Sequence, residues 1–125
     1  MIMLDTSVLI DFPTEWPENE LFACSTIALA ELQFGVQRTA GTPLHAARQA
    51  RLTLLSSLFE WTPFDEDAAL GYGTLAALVS QNRPGHARSK DVMIAGHAYS
   101  MGAALMTRNP QDFKLLDKML RIIAV

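Results

Sequence analysis

The run Met1-Ile2-Met3-Leu4 is apolar at every position and is followed at once by Asp5-Thr6-Ser7. A short, wholly apolar run with a polar stop reads as a strand buried on both faces, since a strand with one wet face alternates apolar and polar side chains. Strands of that kind sit inside mainly parallel sheets covered by helices. Leu21–Cys24, Ala103–Met106 and Arg121–Val125 have the same character, and Glu60–Phe64 reads as a short edge strand because Pro63 interrupts any central ladder.

Helical segments separate these runs. Thr6 or Ser7 is placed to cap a short helix through Asp11, and Ser25-Thr26 is a natural cap for a helix over Ile27–Arg38. Gly41-Thr42-Pro43 breaks that helix, and Pro43–Phe59 reads as another with proline in its first turn. Asp65-Glu66-Asp67 opens a further helix, where three acids are explained by capping and the helix dipole rather than by a metal. A basic loop over Asn82–Ser89 leads to a helix that Ser89 caps and Gly102 closes, and Thr107–Phe113 is a turn with a helical piece. Strands alternating with helices predict a three-layer α/β/α fold on a mainly parallel sheet.

At 125 residues, with half of them hydrophobic, the chain fits one domain over 1–125 with a single core. The formal charge of −3 excludes a protein that grips nucleic acid through bulk positive charge, but not one with a local phosphate site. Cys24, the one cysteine, makes no internal disulfide and reads as a small buried hydrophobe. The N-terminus lacks the basic stretch of a secretory signal, and no run is long enough to span a bilayer, so a soluble cytoplasmic protein with no membrane partner is expected.

Open parallel sheets bind ligands beyond the carboxyl ends of their strands, which makes the polar residues there the first candidates for function. Asp5 is one, with a turn or cap aspartate as the alternative. Glu31 falls on the apolar face of its helix between Ile27 and Gly35, with Phe34 nearby. Burying it alone costs several kcal/mol, so it needs a donor network, a metal or a cation, for which Arg38 two turns later is a candidate. Asp91 shares a face with Ile94, Ala95 and Ala98, with His97 and Ser100 on another, or is simply an acid favoured in a first helical turn. Asp112 follows a predicted strand, or is an ordinary turn residue.

The separate alternatives do not explain four such carboxylates together. If they converge they cannot all ionise cheaply, because like charges within about 4–6 Å raise each other's pKa. A hard divalent ion resolves the conflict. An all-oxygen set favours Mg²⁺ or Mn²⁺, and the widely spaced His45, His86 and His97 match no zinc pattern. Arg83, His86, Arg88 and Lys90 crowd the loop before Asp91 and are candidates for phosphate contact, as is Arg108.

The segments MIMLDTSVLID, STIALAELQFGV, KDVMIAGHA and TRNPQDF, in this order and spacing, resemble a PIN domain, and in particular the VapC toxins of bacterial VapBC toxin–antitoxin modules. The resemblance implies a metal-dependent endoribonuclease acting on tRNA or rRNA, with one or two Mg²⁺ or Mn²⁺ ions held by Asp5, Glu31, Asp91 and Asp112. Thr6 or Ser7 matches the hydroxyl position beside the first acid, and Asn109 a polar position near the metal. It further implies a homodimer and a VapB-type antitoxin that lays a segment across the active site.

Other classes fit less of the chain. A phosphatase using Asp5 as nucleophile lacks its usual second aspartate, since position 7 is Ser7. No phosphate-cradling glycine motif is present for a nucleotide binder. A non-catalytic module whose acidic groove receives a basic peptide is the remaining alternative, separated from a nuclease by metal-dependent RNA turnover.

Overall fold

A computed structural model describes residues 1–125. The elements in order are β1 (Ile2–Leu4), α1 (Thr6–Ile10), β2 (Phe22–Ser25), α2 (Thr26–Arg38), α3 (Leu44–Leu58), β3 (Trp61–Thr62), α4 (Glu66–Ser80), α5 (Lys90–Ser100), β4 (Ala104–Thr107), a 3-10 helix (Pro110–Leu116) and β5 (Ile122–Ala124). The five strands form one parallel sheet in the order β3-β2-β1-β4-β5. Met3, at its centre, stands opposite Ala23 of β2 and Leu105 of β4. All three residues of β1 are fully buried, as expected of a strand covered on both faces.

The chain leaves β1 toward β2 and β3, then crosses back past β1 to β4 and β5. Right-handed crossovers running in opposite directions put α1, α2 and α3 on one face and α4, α5 and the 3-10 helix on the other. The packing agrees, with α2 against α3, and α4 against α5 and the 3-10 helix. The reversal of direction lies between β1 and β4, where an open sheet leaves a crevice at the carboxyl ends of its strands.

Local chemistry sets the helix ends. Ser25 Oγ accepts the Ile27 N–H at 3.0 Å, Asp65 Oδ1 accepts that of Ala68 at 2.9 Å, and Ser89 Oγ accepts that of Val92 at 3.3 Å. The acidic triplet at 65–67 is thus a cap and first turn. At α1 the expectation fails. Asp5 takes the cap position without a side-chain cap bond, and the Thr6 and Ser7 hydroxyls turn to carboxylates instead. Five residues of helix gain little from a cap, whereas a buried carboxylate without donors is costly.

Gly71 of α4 and Gly96 of α5 meet at the closest point between the two helices. A Cβ on Gly71 would lie 2.4 Å from Gly96 O, and one on Gly96 would lie 2.4 Å from both the N and Cα of Tyr72. Backbone rather than side chain fills that space.

Ser25 also joins the two halves of the fold. Its Oγ is 2.9 Å from Nδ1 of His97, which is buried on α5. Desolvation lowers the His97 pKa and keeps the ring neutral near pH 7. Ser25→Ala removes a cap and the partner of a buried imidazole together, so we expect a loss of about 1–3 kcal/mol. A lower urea midpoint with an unchanged m-value would register it.

The tryptophans are spent on packing. Trp16 sits edge-to-face with Phe12 and Phe22 at 5.3 and 5.1 Å, and Trp61 Nε1 donates to Ser56 Oγ at 3.1 Å.

Candidate active site

Asp5 leaves β1 directly into the crevice and is 4 % exposed. Its Oδ2 accepts hydrogen bonds from Ser7 Oγ and Thr107 Oγ1, both at 2.8 Å, while Oδ1 accepts none. Those hydroxyls are held in turn: Ser7 Oγ accepts the Arg108 N–H at 3.1 Å and Thr107 Oγ1 accepts that of Asn109 at 3.0 Å. The carboxylate therefore has a fixed rotamer with one oxygen still uncommitted. Thr107 was missed in the sequence, although a hydroxyl directly after the apolar run Ala103–Met106 obeys the same strand-end logic that selects Asp5.

Glu31, half-buried on α2, accepts from Thr6 Oγ1 at 3.0 Å through Oε1. Arg38 is not its partner. Seven residues along a helix carry a side chain about 10 Å away, and the Arg38 guanidinium lies over the exposed Phe34 ring at 5.8 Å. Phe34 itself is 60 % exposed, so α2 buries Ala28 and Val36 rather than a stripe containing Phe34.

The Glu31 pKa is raised, chiefly by burial and further by the charges of Asp91 and Asp5, while the Thr6 hydroxyl and Lys90 oppose the rise. Asp91, in the first turn of α5, is raised by burial and then by Asp5 and Asp112, with His86 and Arg83 opposing. Asp5, Glu31 and Asp91 thus feel one another directly, and Asp112 joins through Asp91. Asp112 is half-buried in the 3-10 helix, its N–H donating to Asn109 O at 3.0 Å.

No three His, Cys, Asp or Glu side chains stand close enough to form a ready-made ligand cage. Like charges do not close on one another without a cation, so the four acids form an open acidic crevice. Cys24 offers no thiolate, since burial pushes its pKa up to about 12. The basic candidates divide. Arg108 is turned away to Asp11, with Nε 2.8 Å from its carbonyl oxygen and 3.4 Å from Oδ2. Arg83 and Arg88 are exposed, and His86 carries a buried Nε2 with no protein partner.

The PIN domain family model matches residues 2–119. Ribonuclease VapC5 of Mycobacterium tuberculosis is 32% identical over 92% of this chain and 87% of its own length. Ribonuclease VapC2 of Rickettsia felis is 28% identical over 94% of this chain and 93% of its own. Among solved structures, VapBC-5 from M. tuberculosis, a member of the VapBC family of toxin-antitoxin systems, superposes with a TM-score of 0.81 at 33% identity, covering 98% of this chain and 97% of the other. VapBC2 from R. felis, bound to a promoter DNA fragment, superposes with a TM-score of 0.76 at 27% identity, covering 100% and 99%. A family match spanning nearly the whole chain, a parallel sheet of the same build and relatives of matching length place this chain in the PIN-domain family, among the VapC proteins.

Proposed function

We propose that this protein is a divalent-metal-dependent endoribonuclease, the toxin of a cytoplasmic toxin–antitoxin pair. What supports the reading is that Glu31 and Asp91 are raised partly by their neighbours' charge, Glu31 by Asp91 and Asp5 and Asp91 by Asp5 and Asp112, although the four acids come from separate segments and form no closed cage. A crevice that stores mutual repulsion and offers only hard oxygen donors fits Mg²⁺, or Mn²⁺, and does not fit zinc. The relatives' names, ribonuclease VapC, support RNA as the substrate.

When bound, such an ion supplies Lewis-acid stabilisation of the phosphodiester and a more acidic water. The chain's own residues do the rest. Ser7 and Thr107 hold Asp5 by one oxygen and leave Oδ1 uncommitted. Thr6 fixes Glu31 through Oε1. Glu31 and Asp91 have the raised proton affinity that suits a carboxylate taking a proton from attacking water. Asn109 and Arg88, both exposed, are the proposed substrate contacts, with a homodimer as the proposed assembly.

A VapB-type antitoxin is the proposed partner, because the similar solved structures are VapBC complexes. An Arg or Lys side chain from it among the four acids would replace the metal's charge. An Asp5-nucleophile phosphatase is not favoured: Oδ2 is tied to two hydroxyls, and Ser7 fills the place of the second acid.

The test is cleavage of a mixed tRNA and rRNA pool by the purified protein with Mg²⁺, with Mn²⁺ and with EDTA. Discrete cuts that require metal and vanish in Asp5→Asn are expected. Folded, metal-loaded, antitoxin-free protein that leaves every RNA whole would overturn the reading and leave a binding module.

A further inference from the structure

The chain's charge is divided unevenly. Residues 1–81 hold ten of the thirteen Asp and Glu but only three of the ten Lys and Arg, whereas residues 82–125 hold three and seven. A protein of net charge −3 therefore carries a distinctly basic final third. Part of that charge borders a cavity of about 510 Å³ between the end of α4 and the 3-10 helix, lined among others by Asn82, Arg83, Gln111, Asp112, Lys114 and Lys118.

On the strength of the ribonuclease reading, we propose that this cavity is the subsite for the RNA backbone beside the scissile phosphate, with Arg83, Lys114 and Lys118 as its phosphate contacts. Three observations converge on it. Its wall includes Asp112, one of the four candidate acids, so the cavity borders the acidic crevice. None of its three cations is in an ion pair, although Asp112 and Asp117 share the same lining, because the protein's two salt bridges are Met1 to Glu20 and Arg108 to Asp11. Cations held near acids yet unpaired are available to an outside anion.

The third observation is exclusion. A strand cut at the carboxylates must continue past them, and the other large cavity at the crevice, about 440 Å³ beside Thr6 and Glu31, has its arginines already engaged. Arg48 donates to Gly35 O at 3.1 Å, and Arg51 donates to Leu9 O at 2.9 Å and lies over the Phe12 ring at 4.2 Å with its unpartnered Nη2 buried, so the fold holds both heads. Asn82 and Gln111 add amide groups that suit sugar hydroxyls or base edges rather than a bare anion.

Lys114→Gln with Lys118→Gln tests the subsite, both side chains being exposed and free of hydrogen bonds the fold needs. Binding of a labelled single-stranded RNA is read by anisotropy across a KCl series in an Asp5→Asn background that keeps the RNA whole. The slope of log K against log salt should fall by about 1.4, since each lost contact to a single strand removes about 0.7. With Asp5 intact, KM should rise roughly tenfold and kcat change less than twofold. Arg38→Gln, replacing an exposed guanidinium that lies over the Phe34 ring and lines neither cavity, should alter neither. If the double variant binds RNA with the wild-type slope while the wild type still cuts in a metal-dependent way, the subsite is wrong and the nuclease stands. If the wild type neither binds nor cuts RNA, both fall. If an oligo-glutamate peptide binds and only its binding is lost in the double variant, the cavity takes an acidic protein segment and the RNA assignment is overturned.

Discussion

On the proposed metal-dependent mechanism, Asp91→Asn is expected to lower the rate of RNA cleavage by about 10³-fold or more, because one ligand charge and several kcal/mol of stabilisation would go with it. The same change should make the metal-free protein slightly more stable. Folding raises the Asp91 and Glu31 pKa values above those of the unfolded chain. A raised carboxyl contributes stability that is fully present below the unfolded value, near pH 4, and is lost as pH rises through the folded value. At pH 7 both groups therefore oppose folding. They are half-exposed, so screening holds the gain from Asn to under about 1 kcal/mol, or a few degrees in melting temperature. Melts in EDTA from pH 4 to 8, repeated with Mg²⁺, would show the wild type gaining stability from the ion and the variant gaining less. A variant that cuts RNA at the wild-type rate would remove Asp91 from the site.

Gly96→Ala should be the most damaging single methyl in the molecule. Its Cβ would stand 2.4 Å from two backbone atoms of Tyr72, and that of Gly71→Ala would stand 2.4 Å from Gly96 O. No rotamer relieves a clash with backbone, so α4 and α5 must separate, at about 3 kcal/mol or more. Because α5 carries Asp91, whatever folded protein remains should also lose activity. Gly73→Ala is the control within the same helix. Gly73 is exposed, nothing lies within 4 Å of its added Cβ, and the change should stabilise by up to about 1 kcal/mol. Urea midpoints moving in opposite directions for positions 71 and 73 would establish the seam, whereas equal midpoints would refute it.

What was legible in the sequence was short-range. The apolar run at 1–4 announced a doubly covered strand, Ser25, Asp65 and Ser89 announced their helices, and the strand-end rule selected Asp5 and Asp112. What escaped depends on side chains distant in sequence. Thr6 and Ser7 looked like caps because the competing carboxylates at positions 31 and 5 only come within reach in the folded sheet. Arg38 looked like a partner for Glu31 because a helical wheel discards the distance along the axis. The helical spacing sets His97 on a different face from Ile94, Ala95 and Ala98, and periodicity does not show that α5 buries that face as well. The Gly71–Gly96 contact has no local signature, since each glycine alone reads only as a weak point in a helix.

The hydrogen bond from Thr107 to Asp5 spans 102 positions of the chain, and β1 is completed on one side only when β4 pairs with it. Proteins are made from the N-terminus, and pairing between distant segments waits until both exist. A growing chain shorter than 107 residues has β1 without that neighbour, Asp5 without its second hydroxyl, and no Asp112 at all. The crevice is thus assembled only after β1 to β4 and the start of the 3-10 helix have been made. A ribosome translating this message must carry the chain through β4 before the proposed site can form.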